Sequence, residues 1–186
     1  YTKDKHRRVD DAPYGGGYGM VMMCQPVVDC IRDVKSRLSG STRVIYMSPQ
    51  GGLFDQKKAE ELSKYDNLIL LCGHYEGIDE RIIELEIDEE VSVGDYVLTG
   101  GELPALIVAD SISRMLPGVL ANEDAFTEES HYGHLLEYPQ YTRPAVWHGR
   151  AIPEILTSGN HEKVRQWRRK QSLRRTRERR PDMYEK

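Results

Sequence analysis

Val91-Ser-Val-Gly-Asp-Tyr-Val-Leu-Thr-Gly-Gly-Glu-Leu-Pro104 is the stretch on which the reading of the fold turns. A short apolar run meets a Gly-Asp turn, a second apolar run meets a Gly-Gly pair, and an apolar, helix-like segment follows. Two earlier stretches have the same order. Val44–Met47 leads into Ser48-Pro-Gln-Gly-Gly52, and Leu68–Cys72 leads into Gly73-His-Tyr-Glu-Gly77. Three strand ends that each deliver exposed backbone are what a small-molecule pocket on an α/β sheet requires. The three loops are therefore expected to build one pocket together.

None of these loops fits G-x-G-x-x-G or G-x-x-x-x-G-K-[ST], so the common dinucleotide and phosphate motifs are absent. Taken singly, each loop reads as a turn. Taken together, with Tyr46, Tyr75 and Tyr96 close by in sequence, they read as a ligand site. Exposed amide N–H and C=O groups can read an adenine edge without charged side chains.

Working outward, residues 1–12 are polar, and Pro13–Met20 is too glycine-dense for a helix or strand interior. Apolar residues between Val21 and Leu38 recur at helical spacing, which predicts a helix from near Gln25 to just before Ser39, with Pro26 in its first turn. Arg43–Met47 reads as a strand and Gln56–Lys64 as a helix. Leu68–Cys72 reads as a strand covered on both faces, and Asp79–Leu85 as a short helix. Ile87–Val93 is an acidic connection with strand-like residues. Leu103–Leu116 has the apolar density of a mostly buried helix. This alternation predicts an α/β domain with a largely parallel sheet. Residues 121–137 are acidic and aperiodic and read as a mobile linker. Pro139–Pro144 reads as extended, and Asn160 as the N-cap of a basic helix over 161–180.

The 186 residues suffice for one good core, or one core with a small second unit. No run of eighteen apolar residues occurs, so no membrane span is expected, and no basic-then-apolar leader opens the chain. Cys24, Cys30 and Cys72 are odd in number and lack C-x-x-C spacing, which favours a reducing, cytoplasmic setting. A start at Tyr1 rather than Met suggests a processed or truncated chain. The net charge of −4 is unevenly spread. Residues 161–186 hold eleven Lys/Arg against four Asp/Glu, a local +7, which leaves −11 elsewhere. A basic run of this kind is either a solvated helix face or an RNA contact; its +7 excess and the interposed Trp167 keep RNA in play. His131-x-x-His134 has helical metal-ligand spacing but no third ligand, and reads as solvated.

At the glycine loops the chain resembles the TrmD family of bacterial tRNA (guanine-N1)-methyltransferases, within the SPOUT superfamily. The resemblance rests on Val9-Asp-Asp-Ala-Pro-Tyr-Gly-Gly-Gly-Tyr-Gly-Met20, Val44-Ile-Tyr-Met-Ser-Pro-Gln-Gly51 and Cys72-Gly-His-Tyr-Glu-Gly-Ile-Asp-Glu-Arg81. It continues through Glu86–Glu90, Gly94–Pro104, Pro139-Gln-Tyr-Thr-Arg-Pro144 and Lys170-Gln-Ser-Leu173, covering nearly the whole chain in order. The family normally carries further residues before this start, including a first strand, and further helix at the C-terminus.

The resemblance implies a SPOUT-type, mostly parallel sheet flanked by helices with a deep trefoil knot, plus a small helical C-terminal domain. The corresponding ranges are 1–118 for the methyltransferase domain, 119–137 for the linker and 138–186 for a basic, tRNA-binding domain. It implies a cytoplasmic homodimer, with the active site between protomers and no membrane association. It places S-adenosylmethionine against Tyr46, Ser48, Pro49, Gly73, Tyr75, Glu76 and Gly77. The same site takes in Val93, Gly94, Asp95, Tyr96, Val97, Leu98, Gly100, Gly101 and Pro104. The substrate is the guanine immediately 3′ of the tRNA anticodon. Arg114 matches the catalytic arginine, and Glu129 aligns with the catalytic aspartate, with Glu128 the neighbouring candidate. Here Glu replaces Asp, and His131 replaces the Phe that the family carries nearby, so a catalytically compromised RNA-binding protein is the alternative. Arg165, Arg168, Arg169 and Lys170 are the RNA-contact candidates. Mg²⁺ is implied for activity, with Glu76 the weak candidate near it and no obvious all-protein metal cage. A third reading, a nucleotide enzyme using Gly15–Gly19 as a phosphate cradle, has no lysine after that loop to support it.

Overall fold

A computed structural model describes residues 1–121 and 129–184. The described chain divides into two compact units, Tyr1–Val119 and Leu120–Lys186.

In the first unit β1 (Asp10–Asp11) and β2 (Val21–Met22) pair antiparallel around the glycine-rich loop. Helix α1 (Cys24–Ser36) follows, and its Pro26 lies in the first turn, where a missing N–H costs nothing. The sheet consists of β3 (Thr42–Leu53), β4 (Asn67–Cys72) and β5 (Glu89–Ser92). Their order is β4-β3-β5 and all pairings are parallel. Between them lie α2 (Gln56–Leu62) and α3 (Glu80–Glu86), and α4 (Glu102–Ser113) comes after β5.

The period of two along β3 sends its side chains alternately to two cores. Ile45 and Met47 join Val91, Ala59 and Leu62, together with Ala105, Val108 and Ile112 of α4. On the other side Val44 packs with Val27, Val28 and Ile31 of α1 and Ile82 of α3. Strand β4 divides the same way, Leu68, Leu70 and Cys72 toward the first core and Ile69 and Leu71 toward the second. Leu62 is fully buried, so its truncation to Ala would cost about 2–5 kcal/mol. Charged clips reinforce the layers. The buried Glu86 carboxylate meets Arg32 at 2.6 Å and Lys35 at 3.4 Å, joining α3 to α1. Glu89 meets Arg43 at 3.2 Å and Lys58 at 3.1 Å, joining β5 to β3 and α2.

Three local expectations change. Strand β3 does not stop at Met47 but continues through Pro49 and the glycines to Leu53. A register shift between Met47 and Gly52 lets Gly52 and Leu53 pair with Val91 and Ser92. A Cβ on Gly51 would lie 2.4 Å from the Glu90 carbonyl carbon, so this approach of two backbones needs glycine. Helix α4 is buried on one face only: Leu103 and Leu106 are 62% and 64% exposed. Residues 129–137, read as part of a mobile linker, are held by hydrogen bonds. The Leu136 N–H donates to Thr176 Oγ1 at 2.9 Å, and the Glu137 N–H to Ser130 Oγ at 3.0 Å.

The second unit is organised on α5 (His161–Arg179), whose N-cap Asn160 accepts from the Lys163 N–H at 3.0 Å, as its sequence predicts. Thr176 is fully buried and its hydroxyl donates to Ser172 O at 2.8 Å while accepting from Leu136. A hairpin of β6 (Val146–Trp147) and β7 (Arg150–Ala151) precedes α5, and the short α6 (Pro181–Tyr184) follows it. Among the described residues, no helix is long and apolar enough to cross a membrane.

Candidate functional site

The three strands of the sheet run parallel, so their carboxyl ends lie at one edge, the place where open α/β sheets bind ligands. A cavity of about 310 Å³ opens there. The segment Ser48–Gln50 forms one wall, the loop after β4 a second, and the loop after β5 with Pro104 of α4 a third. Every residue predicted for the donor pocket lines this cavity except Asp95, which is exposed on the turn beside it.

Tyr46 lies within the buried part of β3, and its ring reaches the glycine loop after β4. A Cβ on Gly73 would sit 2.9 Å from the Tyr46 hydroxyl, so glycine there leaves room for the ring. Burial, with Glu90 close by, pushes the Tyr46 phenol above its usual range. The loop Gly73–Gly77 is fixed from behind by the N-terminal segment. Glu76 N–H donates to Met20 O at 3.0 Å, and Met22 N–H to Gly77 O at 3.0 Å. Gly77 takes φ of +117°, a conformation that side chains disfavour. In the loop after β5, Ser92 Oγ donates to Gly94 O at 3.0 Å and accepts from the Gly94 N–H at 3.2 Å.

The β4 and β5 loops are tied to each other as well. Gly101 N–H donates to Gly73 O at 3.1 Å, and His74 Nε2 meets Glu102 Oε1 across the same gap. The Glu102 carboxyl is held below the usual carboxylate range by its own backbone N–H and then by His74. His74 and Gln50 also line the cavity, beyond the residues that the sequence predicts for it, and both stand inside the glycine segments that the sequence marks.

The lining has a clear electrostatic character. Glu76, Glu80 and Glu90 contribute carboxylates, and among the described residues no lysine or arginine lines the cavity. Such a cavity is unsuited to phosphates and suited to a nucleoside-like ligand that is neutral or positively charged. Gly15–Gly19 is not part of it. Among the described residues, no cluster of three or more His, Cys, Asp or Glu side chains could hold a metal ion.

The remaining predicted residues lie elsewhere. Arg114 is the C-cap of α4 in the first unit, where its charge also favours the helix dipole. Glu129 belongs to the second unit and lines a cleft with Tyr132, Arg165 and Arg169. Glu128 lies outside the described residues. Arg165, Arg169 and Lys170 are exposed on α5, with Arg165 paired to Glu162 at 2.8 Å. Arg168 differs from these, because its guanidinium packs 4.5 Å from the centroid of the Tyr138 ring.

A family profile described as tRNA (Guanine-1)-methyltransferase TrmD matches residues 1–186. A tRNA (guanine-N(1)-)-methyltransferase of Ruminiclostridium cellulolyticum is 60% identical over 186 residues, covering 100% of this chain and 80% of that protein. One of Alkaliphilus oremlandii is 54% identical, covering 98% and 76%. One of Francisella tularensis subsp. holarctica is 55% identical, covering 100% and 74%. The chain belongs to the TrmD family of tRNA (guanine-1)-methyltransferases.

Proposed function

We propose that this protein is a tRNA (guanine-N1)-methyltransferase that uses S-adenosylmethionine to methylate the guanine immediately 3′ of the anticodon. The observation that carries the reading is the cavity at the sheet edge, built from the Ser48–Gln50 segment of β3 and the glycine loops after β4 and β5, and lined by carboxylates with no lysine or arginine among the described residues. Main-chain groups of the loops and the Tyr46 and Tyr96 rings suit an adenosine moiety, and the acidic lining suits a sulfonium. S-adenosylmethionine bound there supplies an electrophilic methyl group.

Guanine N1 carries a proton and is a poor nucleophile at neutral pH. A carboxylate must accept that proton as the N1–C bond forms and the C–S bond breaks, and a cation must stabilise charge developing on O6. Glu129 fills the first role and Arg114 the second, by their match to the family's catalytic pair. Arg114 belongs to the first compact unit and Glu129 to the second. The exposed apolar residues of α4, with Val97 at 81% exposure beside the cavity, support a homodimer. The trefoil knot belongs to the same reading, as does action in the cytoplasm, where tRNA is processed. Mg²⁺ is a requirement implied by the resemblance alone, because no protein cage for it is formed among the described residues.

Single-turnover transfer to tRNA transcripts carrying G or A after the anticodon tests the reading. Methylation of the G transcript alone is expected. tRNA binding without any methyl transfer would replace the enzyme with an RNA-binding protein that keeps the pocket, the alternative raised by the Glu at position 129.

A further inference from the structure

The second unit holds a cavity of its own, about 550 Å³, which the reaction above does not use. One wall is the extended stretch that begins at Tyr138 and runs through Arg143. Leu156 and Thr157 form the other, and Val164 and Arg168, one turn apart on α5, form the floor. The interior is apolar through Ile152, Leu156 and Val164, while Tyr141 and Thr157 stand exposed at the rim. Among the described residues, Arg143 and Arg168 line it and no carboxylate does.

Arg168 is the informative member. Its guanidinium is held against the Tyr138 ring, so it is a fixed, planar group rather than a mobile surface charge. Its Nε is buried and has no hydrogen-bond partner among the described residues. That atom is sealed from solvent, but the residue as a whole is only half-buried and lines the cleft, so its remaining N–H groups are the donors that an acceptor there would meet. A bare phosphate would leave the apolar interior unused, and an aliphatic side chain would leave the arginines unanswered. A flat group with an apolar face and ring or carbonyl acceptors matches both, and the +7 excess over residues 161–186 favours delivery on a polyanion.

We propose that this cleft binds an unstacked nucleobase of the RNA, stacked on Tyr141 and hydrogen-bonded by the Arg168 side chain. The inference rests on the reading of the protein as a tRNA-binding enzyme. Base–aromatic stacking contributes without releasing counterions, which separates it from a phosphate contact.

The test is anisotropy of a fluorescently labelled tRNA transcript titrated with the full chain over a series of KCl concentrations. Tyr141→Ala is expected to weaken binding by about five- to a hundred-fold, with the slope of log K against log salt unchanged, and Tyr141→Phe to bind as the unmodified protein does. Thr157→Trp, which plugs the cleft from its rim, is expected to reproduce the loss at an unchanged melting temperature. Unchanged affinity in both Tyr141→Ala and Thr157→Trp overturns the proposal. So does a loss accompanied by a shallower salt slope, which would mark a phosphate site, or an equal loss in Tyr141→Phe. If the unmodified chain fails to bind tRNA at any salt, the proposed function itself fails, and this inference with it.

Discussion

Gly101 donates its N–H to the carbonyl oxygen of Gly73 at 3.1 Å, joining the β4 and β5 loops by main chain at the edge of the cavity. A Cβ on Gly101 would fall 2.6 Å from the Cα of Cys72. Backbone cannot step aside as a side chain can. Gly101→Ala should therefore cost about 1–3 kcal/mol by overpacking and weaken S-adenosylmethionine binding at the same time. At Gly100 the nearest obstacle is the Glu102 carboxylate at 2.5 Å, the far end of a flexible side chain, with His74 Cε1 at 3.1 Å. Gly100→Ala should change stability by less than about 1 kcal/mol yet disturb the His74–Glu102 link and reduce binding. Chemical denaturation paired with calorimetric titration of S-adenosylmethionine separates the two. Equal stability losses at both positions would refute the distinction.

A pH prediction follows from Asp79, which caps α3 at the foot of the glycine loop. Its carboxylate accepts from the Arg81 N–H at 3.0 Å and meets the Arg81 guanidinium at 2.6 Å. The hydrogen bond from the Arg81 side chain, aided by the Cys24 thiol and the Arg81 N–H, holds Asp79 well below the usual carboxylate range. A carboxyl whose folded pKa is depressed contributes stability above its unfolded value, about 3.9, and loses it as pH falls through the folded value. The melting temperature should therefore drop below about pH 4 more steeply in the unmodified protein than in Asp79→Asn. At neutral pH the Asn variant keeps a capping oxygen and should lose at most about 1 kcal/mol. Parallel acid profiles of the two proteins would contradict the assignment.

The sheet and the pocket were legible because their signals are local. Val44–Met47 alternates between two cores, and two of the three glycine segments follow the ends of β4 and β5, so periodicity and turn chemistry point to both. What was not legible depends on distant partners. Pro49, Gly51 and Gly52 read as a loop, and only the Val91–Ser92 backbone makes Gly52 and Leu53 part of a strand. The order of residues 129–137 comes from Thr176 on α5, which no pattern within the segment announces. The hairpin at Val146–Ala151 did leave a trace. His148 and Gly149 take φ of +47° and +72°, as a type I′ turn demands, and His-Gly is a weaker form of the Asn-Gly signal. The sequence of α4 reads as more buried than it is, because apolar density alone does not separate a core face from an exposed one.

The basic helix makes a prediction that divides its own residues. Arg165, Arg169 and Lys170 are exposed, whereas Arg168 is packed on Tyr138. Replacing the three exposed residues with Gln should weaken tRNA binding and reduce the salt slope by roughly 2 to 3, about 0.7–0.9 for each phosphate no longer neutralised. Arg168→Gln should lower the melting temperature, because it removes a cation–π interaction worth about 0.5–2 kcal/mol, and should weaken tRNA binding through the lost base contact without reducing the salt slope as the exposed residues do. An unchanged affinity at low and high salt in the triple variant would return the run to a solvated face.

The catalytic assignment gives the sharpest test. Glu129→Gln keeps the size of the side chain and removes its ability to accept the N1 proton, so single-turnover methyl transfer should fall roughly 10²- to 10⁴-fold. tRNA and S-adenosylmethionine binding should stay near their starting values, because the defect is in proton transfer and not in docking. Raising the pH should partly restore the rate, since guanine N1 then loses its proton to solvent. Glu129→Asp shortens the side chain by one methylene. If the neighbouring elements hold the position set for the family's aspartate, that variant should match or exceed the unmodified rate, because small displacements of a reacting group carry large rate penalties. Methylation by Glu129→Gln at the unmodified rate would move the base to another carboxylate, with Glu128 the first to examine by the same substitution.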